Sequence, residues 1–178
     1  MPTTSLKGHL IEFDREPIDL YGLFGFALDW TDDLTLLHAL DMDTMELNGY
    51  SVIRNADVRK WRPRGPKTFP QRAAKLKGIE PVFPAGVSLA SWREVLETAG
   101  ALFPLLALHR EKINSRTCHI GRVRSLTEKV VSLKEIDADA LWRETRRYRF
   151  RDLTKVDFGG GYEEALTIVA ADNKKKRS

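Results

Sequence analysis

Apolar residues at the start of this chain come in short runs bounded by turn-forming residues, a rhythm that predicts strands rather than helices. Residues 9–13 (HLIEF) form one run and 20–30 (LYGLFGFALDW) a longer one. Thr31-Asp32-Asp33 has turn chemistry, because an Asp side chain can bond its own backbone, and 34–40 (LTLLHAL) is the return strand. Asn48-Gly49 is a dipeptide favoured in hairpins and predicts a tight turn ahead of two more strands, 50–54 and 57–61.

The pattern changes after residue 62. Residues 69–77 (FPQRAAKLK) predict a short helix with Pro70 in its first turn, stopped by Gly78. Ser91 and Glu94 have capping-box spacing. Trp92, Val95, Leu96 and Ala99 share a helical face and Gly100 is a natural stop, so a helix over 89–100 is expected to pack on the strands after it. Strand-like runs then return at 105–109, 117–125, 129–134, 144–150 and 153–158, with Pro104 in the entry loop of the first and Thr127-Glu128 as a turn. Within 144–150, Tyr148 and Phe150 fall on one face and Arg147, Arg149 and Arg151 on the other, the period of a half-buried strand.

The expected organisation is therefore 6–62, rich in short strands; 63–101, basic, proline-bearing and helical; 102–171, strands again with a terminal element; and 172–178, a basic tail. Laid on one another, the two strand zones correspond. Gly25 falls on Gly121, Leu34 on Val130, Leu37 on Leu133, Asp41 on Asp137 and Asp43 on Asp139. After a slip of one residue, Asp57 falls on Asp152, Val58 on Leu153 and Lys60 on Lys155. This reads as a duplicated small β module. Gly22, Gly25 and Gly121 suit the sharp bends of such a module.

Residues 52–58 (VIRNADV) resemble the second Sm motif, with Asn55 where that motif has glycine, a residue that tolerates a left-handed backbone. The bent strand with Gly22 and Gly25, its return strand and Asp41 are similar to the first Sm motif. In the second zone 148–154 (YRFRDLT) keeps an Arg-Asp pair without the glycine pattern. The resemblance covers 8–62 and 104–158. It implies a mainly β fold with a few helices: two tandem Sm-like, five-stranded, strongly bent barrels joined by a helical, Pro-rich linker. It also implies single-stranded RNA binding near the turns, carried here by Arg54, Asn55 and Asp57 and, in the second copy, by Arg151 and Asp152. Assembly through barrel edges, into a homo-oligomer or with a protein partner, is a further implication.

Composition narrows this picture only a little. The chain has 178 residues, 42% apolar and 30% charged, which is ordinary for a folded domain and unlike a disordered one. A net charge of +4 admits a polyanionic partner without requiring one. Its basic excess is local. From Arg59 to Lys77 there is no acid, and Arg59, Lys60, Arg62 and Arg64 interleave with Trp61 and Phe69. That segment reads either as a nucleic-acid track or as a solvated linker whose aromatics tuck onto the barrels. The arginines of 142–151 read as the outer face of a strand, where charge discourages edge pairing. One cysteine excludes an intrachain disulfide, and without a secretory pattern a reducing cytoplasm is expected. No apolar run is long enough to span a membrane.

Catalytic signals are weak. Cys118-His119 are strand neighbours and so point to opposite faces, and Cys118 is expected to be a small buried hydrophobe. The histidines lack metal-ligand spacing. Asp29, Asp32, Asp33, Asp41 and Asp43 lack the glycine and spacing of a calcium loop. Gly159-Gly160-Gly161 follows a strand, but Glu163 and Glu164 would repel a phosphate at a following helix start. These glycines are expected to be an exit turn, with Tyr162, Leu166, Ile168 and Val169 packing back on the barrel or on a neighbour. The expected function is that of a non-enzymatic Sm-like interaction or scaffold protein, without metal or cofactor; the alternative is a single-stranded RNA binder using Arg54, Asn55, Arg59, Lys60, Trp61, Arg62, Arg64 and Arg151.

Overall fold

The computed structural model describes residues 6–176. The first half supplies β1 (Leu10–Arg15), β2 (Asp19–Trp30), β3 (Leu34–Asp41), β4 (Glu46–Arg54), a 3₁₀ turn at Asn55–Asp57 and β5 (Lys60–Pro63). Two helices follow, α1 (Phe69–Leu76) and α2 (Trp92–Leu102). The second half supplies β6 (Leu106–His109), β7 (Cys118–Leu126), β8 (Val130–Ile136), β9 (Trp142–Arg149), a 3₁₀ turn at Phe150–Asp152, β10 (Lys155–Phe158) and α3 (Gly161–Lys175).

All ten strands join one open sheet in the order β5-β1-β2-β3-β4-β10-β6-β7-β8-β9, and every pairing is antiparallel. The mainly β expectation, with five strands to each half and helices between, is met. Two free-standing barrels are not what the chain forms: its halves share one sheet, and that sheet does not close. The physical reason lies at β4 and β10. Each would present a bare row of N–H and C=O groups, and pairing them satisfies both rows.

The order of the second half, β10-β6-β7-β8-β9, repeats that of the first, β5-β1-β2-β3-β4. The registers repeat as well. Gly25 pairs with Ala39 and Gly121 with Glu135; the bulge between Ala27 and Asp29 recurs between Val123 and Ser125; that between His38 and Leu40 recurs between Lys134 and Ile136. Thr31 Oγ accepts from the backbone N–H of Leu34 at 3.1 Å, and Thr127 Oγ from that of Val130 at 3.1 Å. Asp41 and Asp137 bracket their turns alike, accepting from the N–H of Asp43 and Asp139. The slip of one residue falls in that turn, after which Met45 and Ala140 both take a positive φ, 53° and 56°. Gly25 and Gly121 sit where a side chain has no room: a Cβ would meet His38 O at 2.9 Å and Lys134 O at 2.2 Å.

One interior belongs to the first half alone, and a second is shared between the halves. Ile11, Phe13, Ala27, Leu37 and Ile53 pack together in the first. In the second, Leu106, Leu108, Val131, Leu133, Tyr148 and Val156 join Leu34, Leu36 and Val52 from β3 and β4. Ser91 caps α2 by accepting from Glu94 N–H at 3.2 Å, as its spacing predicts. The helix turns Val95, Leu96 and Ala99 onto that second interior, and burying Val95 or Leu96 contributes about 2 kcal/mol each. On the outside, Ala74 of α1 packs against Leu10, Phe26 and Leu40, and α3 packs Leu166 and Ala170 against Leu105 and Ile136.

Several local expectations are corrected. Asn48-Gly49 lies inside β4, and the β3–β4 turn comes earlier, at 42–45. Gly49 takes φ +69° there because the chain leaving β10 crosses it closely. Gly159-Gly160-Gly161 is the expected exit turn, with Gly160 as the N-cap of α3 and Gly161 N–H donating to Asn48 Oδ1 at 2.9 Å. Of the four residues expected to pack back, Leu166 does; Tyr162, Ile168 and Val169 are exposed. Asp172–Lys175 belong to α3, while positions 177–178 of the expected tail lie outside the described residues.

The stretch between the helices is tied down by one titratable group. Val82 N–H donates to Nδ1 of His38 at 3.1 Å, and the imidazole stacks on Tyr50 with ring centroids 4.5 Å apart. Burial lowers the His38 pKa, and an accepting Nδ1 requires the neutral ring. The folded pKa lies below the unfolded one, so this contribution is complete above about pH 6.5 and is lost as pH falls through the folded value. As pH falls below about 6.5, the protection of the Val82 amide, taken as its exchange rate relative to that of an unstructured chain at the same pH, is expected to fall, and His38→Gln is expected to remove that pH dependence.

Candidate functional site

The turns singled out by the sequence converge at one end of the sheet. The 31–33 and 127–129 turns, both 3₁₀ turns and the start of α2 surround a cleft of about 590 Å³ whose lining includes Asp33, Arg54, Trp92, Arg93, Glu128 and Phe150. A neighbouring cleft of about 480 Å³ runs between Lys129 and Arg149–Arg151.

The residues expected to face a ligand are largely engaged within the chain. Arg54 donates through Nη2 to the carbonyl oxygens of Phe150 at 3.0 Å and Arg151 at 3.1 Å. It thereby fastens the end of β4 to the second half. Asn55 donates to the carbonyls of Thr31 at 2.9 Å and Asp32 at 3.1 Å and accepts from Thr35 Oγ at 2.6 Å, so its amide joins two turns. Buried Asp57 is paired with Lys112.

Along β5 the basic residues lean back on acids of β1. Arg59 contacts Asp14 at 3.0 Å and Glu16 at 3.1 Å; Arg62 contacts Glu12 at 3.2 Å; Arg64 pairs with Glu12 and lies 5.6 Å from the Phe24 ring centroid. The Glu16 backbone N–H, with Arg59 and Arg62 beside it, holds the Asp14 carboxyl below its ordinary pKa. Trp61 stacks on Phe13, centroids 6.1 Å apart. Lys60 is exposed, and Arg151 is exposed beside Asp152 at 3.6 Å. The cations at 59, 62 and 64 are thus compensated and Trp61 is tucked in, whereas Phe69 at the start of α1 stands exposed and does not tuck onto the sheet.

A polar cluster that the sequence did not single out sits at the junction of the halves. Asp157 on β10 accepts from Ser51 Oγ of β4 at 2.6 Å, lies 2.8 Å from His109 Nε2 of β6, and pairs with Lys155 Nζ at 2.9 Å. Burial would raise the Asp157 carboxyl, but Lys155, His109 and Ser51 outweigh it and hold it well below the usual carboxylate range. Beside it, fully buried Arg15 of β1 reaches Glu111 Oε1 at 3.1 Å, and Glu111 accepts from Thr154 Oγ at 2.7 Å. Here too burial works to raise the Glu111 carboxyl and loses to Arg15.

This junction holds Ser, His and Asp, but with the carboxylate in the middle. Acyl transfer needs the imidazole between hydroxyl and carboxylate, so Ser51 has no base. Cys118 faces His109 across the β6–β7 ladder. Contrary to expectation it is exposed, because it opens its strand at the end of a loop. Partial desolvation by the surrounding chain and the nearby Asp157 still push its thiol up, away from the nucleophilic thiolate. Among the described residues no group of three or more His, Cys, Asp or Glu side chains converges on a metal position, and no helix is long and apolar enough to cross a membrane.

Comparison of the chain with protein-family models, with curated proteins and with solved structures finds no match in any of the three.

Proposed function

We propose that this chain is a non-enzymatic interaction protein built of two Sm-like modules fused edge to edge. The observation that carries the reading is the β4–β10 join. A strand order that runs β5-β1-β2-β3-β4 meets a second copy of itself, and the contact between them is an edge strand of one against an edge strand of the other. Modules that associate in this way serve by presenting edges and turns to partners. The RNA alternative draws less support, because Arg54 and Asn55, the residues an Sm-type turn would offer to a base, are spent on Phe150, Arg151, Thr31 and Asp32.

Titration of fluorescent oligouridylate and oligoadenylate separates the two. At low salt, weak attraction to the basic surface is expected, and it should vanish by about 0.2 M salt through counterion exchange. Binding that persists at that salt and weakens on Lys60→Ala or Trp61→Ala would reinstate the RNA function.

A further inference from the structure

Among the described residues the sheet ends in two strands paired on one side only, β5 and β9, and they are not equivalent. β9 is exposed along its length except at Tyr148. Its twin in the first half, β4, carries a partner strand, so the same backbone geometry is known to accept one. Across the join Arg54 N–H donates to Thr154 O at 3.1 Å, whereas Phe150 N–H turns inward to Lys129 O at 2.9 Å. Alternation along an antiparallel strand then leaves the N–H groups of Arg149, Arg147 and Thr145 facing outward.

The side chains on this outer row have changed character. By register against β3 and β8, Tyr50, Val52 and Arg54 of β4 correspond to Thr145, Arg147 and Arg149 of β9. In the first half, Tyr50 stacks on Phe158 at 5.5 Å and Val52 faces Val156, an apolar seat. In the second half, that seat is polar and doubly cationic. Glu144 stands where Gly49 lets a chain turn across the strand, so an occupant of β9 runs on straight.

A second copy of this chain fits poorly. Set as β10 sits on β4, its β5 would put Arg59 opposite Arg149 and Arg62 opposite Arg146, like charges in direct register. Pro63 occupies the place of Phe158. Arg64 N–H points to Leu10 O, so the outward donors of that edge fall at positions 61 and 63, and proline at 63 has none.

We propose that β9 is a docking edge for an extended acidic segment of a partner protein, taken up by strand addition. Main-chain bonds to Thr145, Arg147 and Arg149 would supply the ladder, and carboxylates on alternate residues would pair with the two guanidinium groups. The proposal rests on the interaction reading above and names the partner's chemistry.

A fluorescein-labelled peptide of about ten residues, alternating glutamate and threonine, is the probe. It is expected to bind saturably and to slow amide exchange at Thr145, Arg147 and Arg149. The double variant Arg147→Glu/Arg149→Glu is expected to weaken it by about tenfold or more and to bind the alternating lysine–threonine peptide in its place. Both positions are exposed, so a folded variant is expected, checked by circular dichroism. Absence of binding, or binding indifferent to the charge reversal, overturns the proposal. So does concentration-dependent self-assembly that the double variant abolishes, which would make a second copy the occupant, or oligouridylate protecting the same amides. A peptide failure without RNA binding removes the β9 site alone and leaves the interaction reading to its own RNA titration.

Discussion

Gly49→Ala is expected to lower the melting temperature by roughly 10 °C, although it adds a single methyl group. Gly49 takes φ +69° in the middle of β4, a conformation that costs an L-residue about 1–2 kcal/mol. The added carbon would lie 2.5 Å from Gly160 N, 2.6 Å from Gly159 C and 2.6 Å from Phe158 O. All three are backbone atoms of the chain leaving β10, so relief requires shifting the join itself, at about 1–3 kcal/mol more. Gly65 is the control. Nothing lies within 4 Å of its Cβ position, and Gly65→Ala should change stability by no more than about 0.5 kcal/mol. Equal melting temperatures for the two variants would mean that the join is not where the sheet is fastened.

Asp157→Ala should cost about 3–5 kcal/mol, the usual penalty for stripping the partner from a buried charge, because Lys155 and His109 would keep their places without the carboxylate they face. Asp157→Asn preserves shape and the bond from Ser51, so it isolates the charge. The pH dependence has a definite sign. The carboxyl is held below its ordinary value in the folded chain, so its contribution is complete above the unfolded pKa of about 3.9 and drains away as pH falls below it. Glu111, Asp14, Asp41 and Asp137 are lowered too and share the same acid limb. Urea unfolding at about pH 5 and about pH 3 should therefore show a smaller loss for Asp157→Asn than for the wild-type chain. Equal losses would mean that Asp157 has an ordinary pKa in the fold.

Much of the strand order is legible in the sequence because it is written twice. Asp41 and Asp137, Thr31 and Thr127, and Gly25 and Gly121 each do a local job that short-range chemistry dictates: bracketing a turn, or letting a strand bend over its neighbour. Asn48-Gly49 misleads for the opposite reason. The dipeptide has hairpin chemistry, but its glycine answers to a chain segment more than a hundred residues away, and no local rule sees that contact. The same blindness hides the junction. Ser51, His109 and Asp157 are each ordinary polar residues in strand runs, and only the β4–β10–β6 pairing gathers them. The motif places Arg54 and Asn55 at a turn, where they are, yet their partners, the carbonyls of Phe150, Arg151, Thr31 and Asp32, are tertiary facts. Cys118 departs from expectation because a small residue at the first position of a strand need not reach the interior.

The central place of β10 also sets a calendar for biosynthesis. It is the last of the ten strands to leave the ribosome, yet it lies between β4 and β6, and Arg54 waits for the carbonyls of Phe150 and Arg151. Until then the pairings that β10 makes with β4 and with β6 cannot form. The two halves of the sheet therefore cannot be joined before the last strand is made, and the edge of β4 stays open to wrong partners until it arrives.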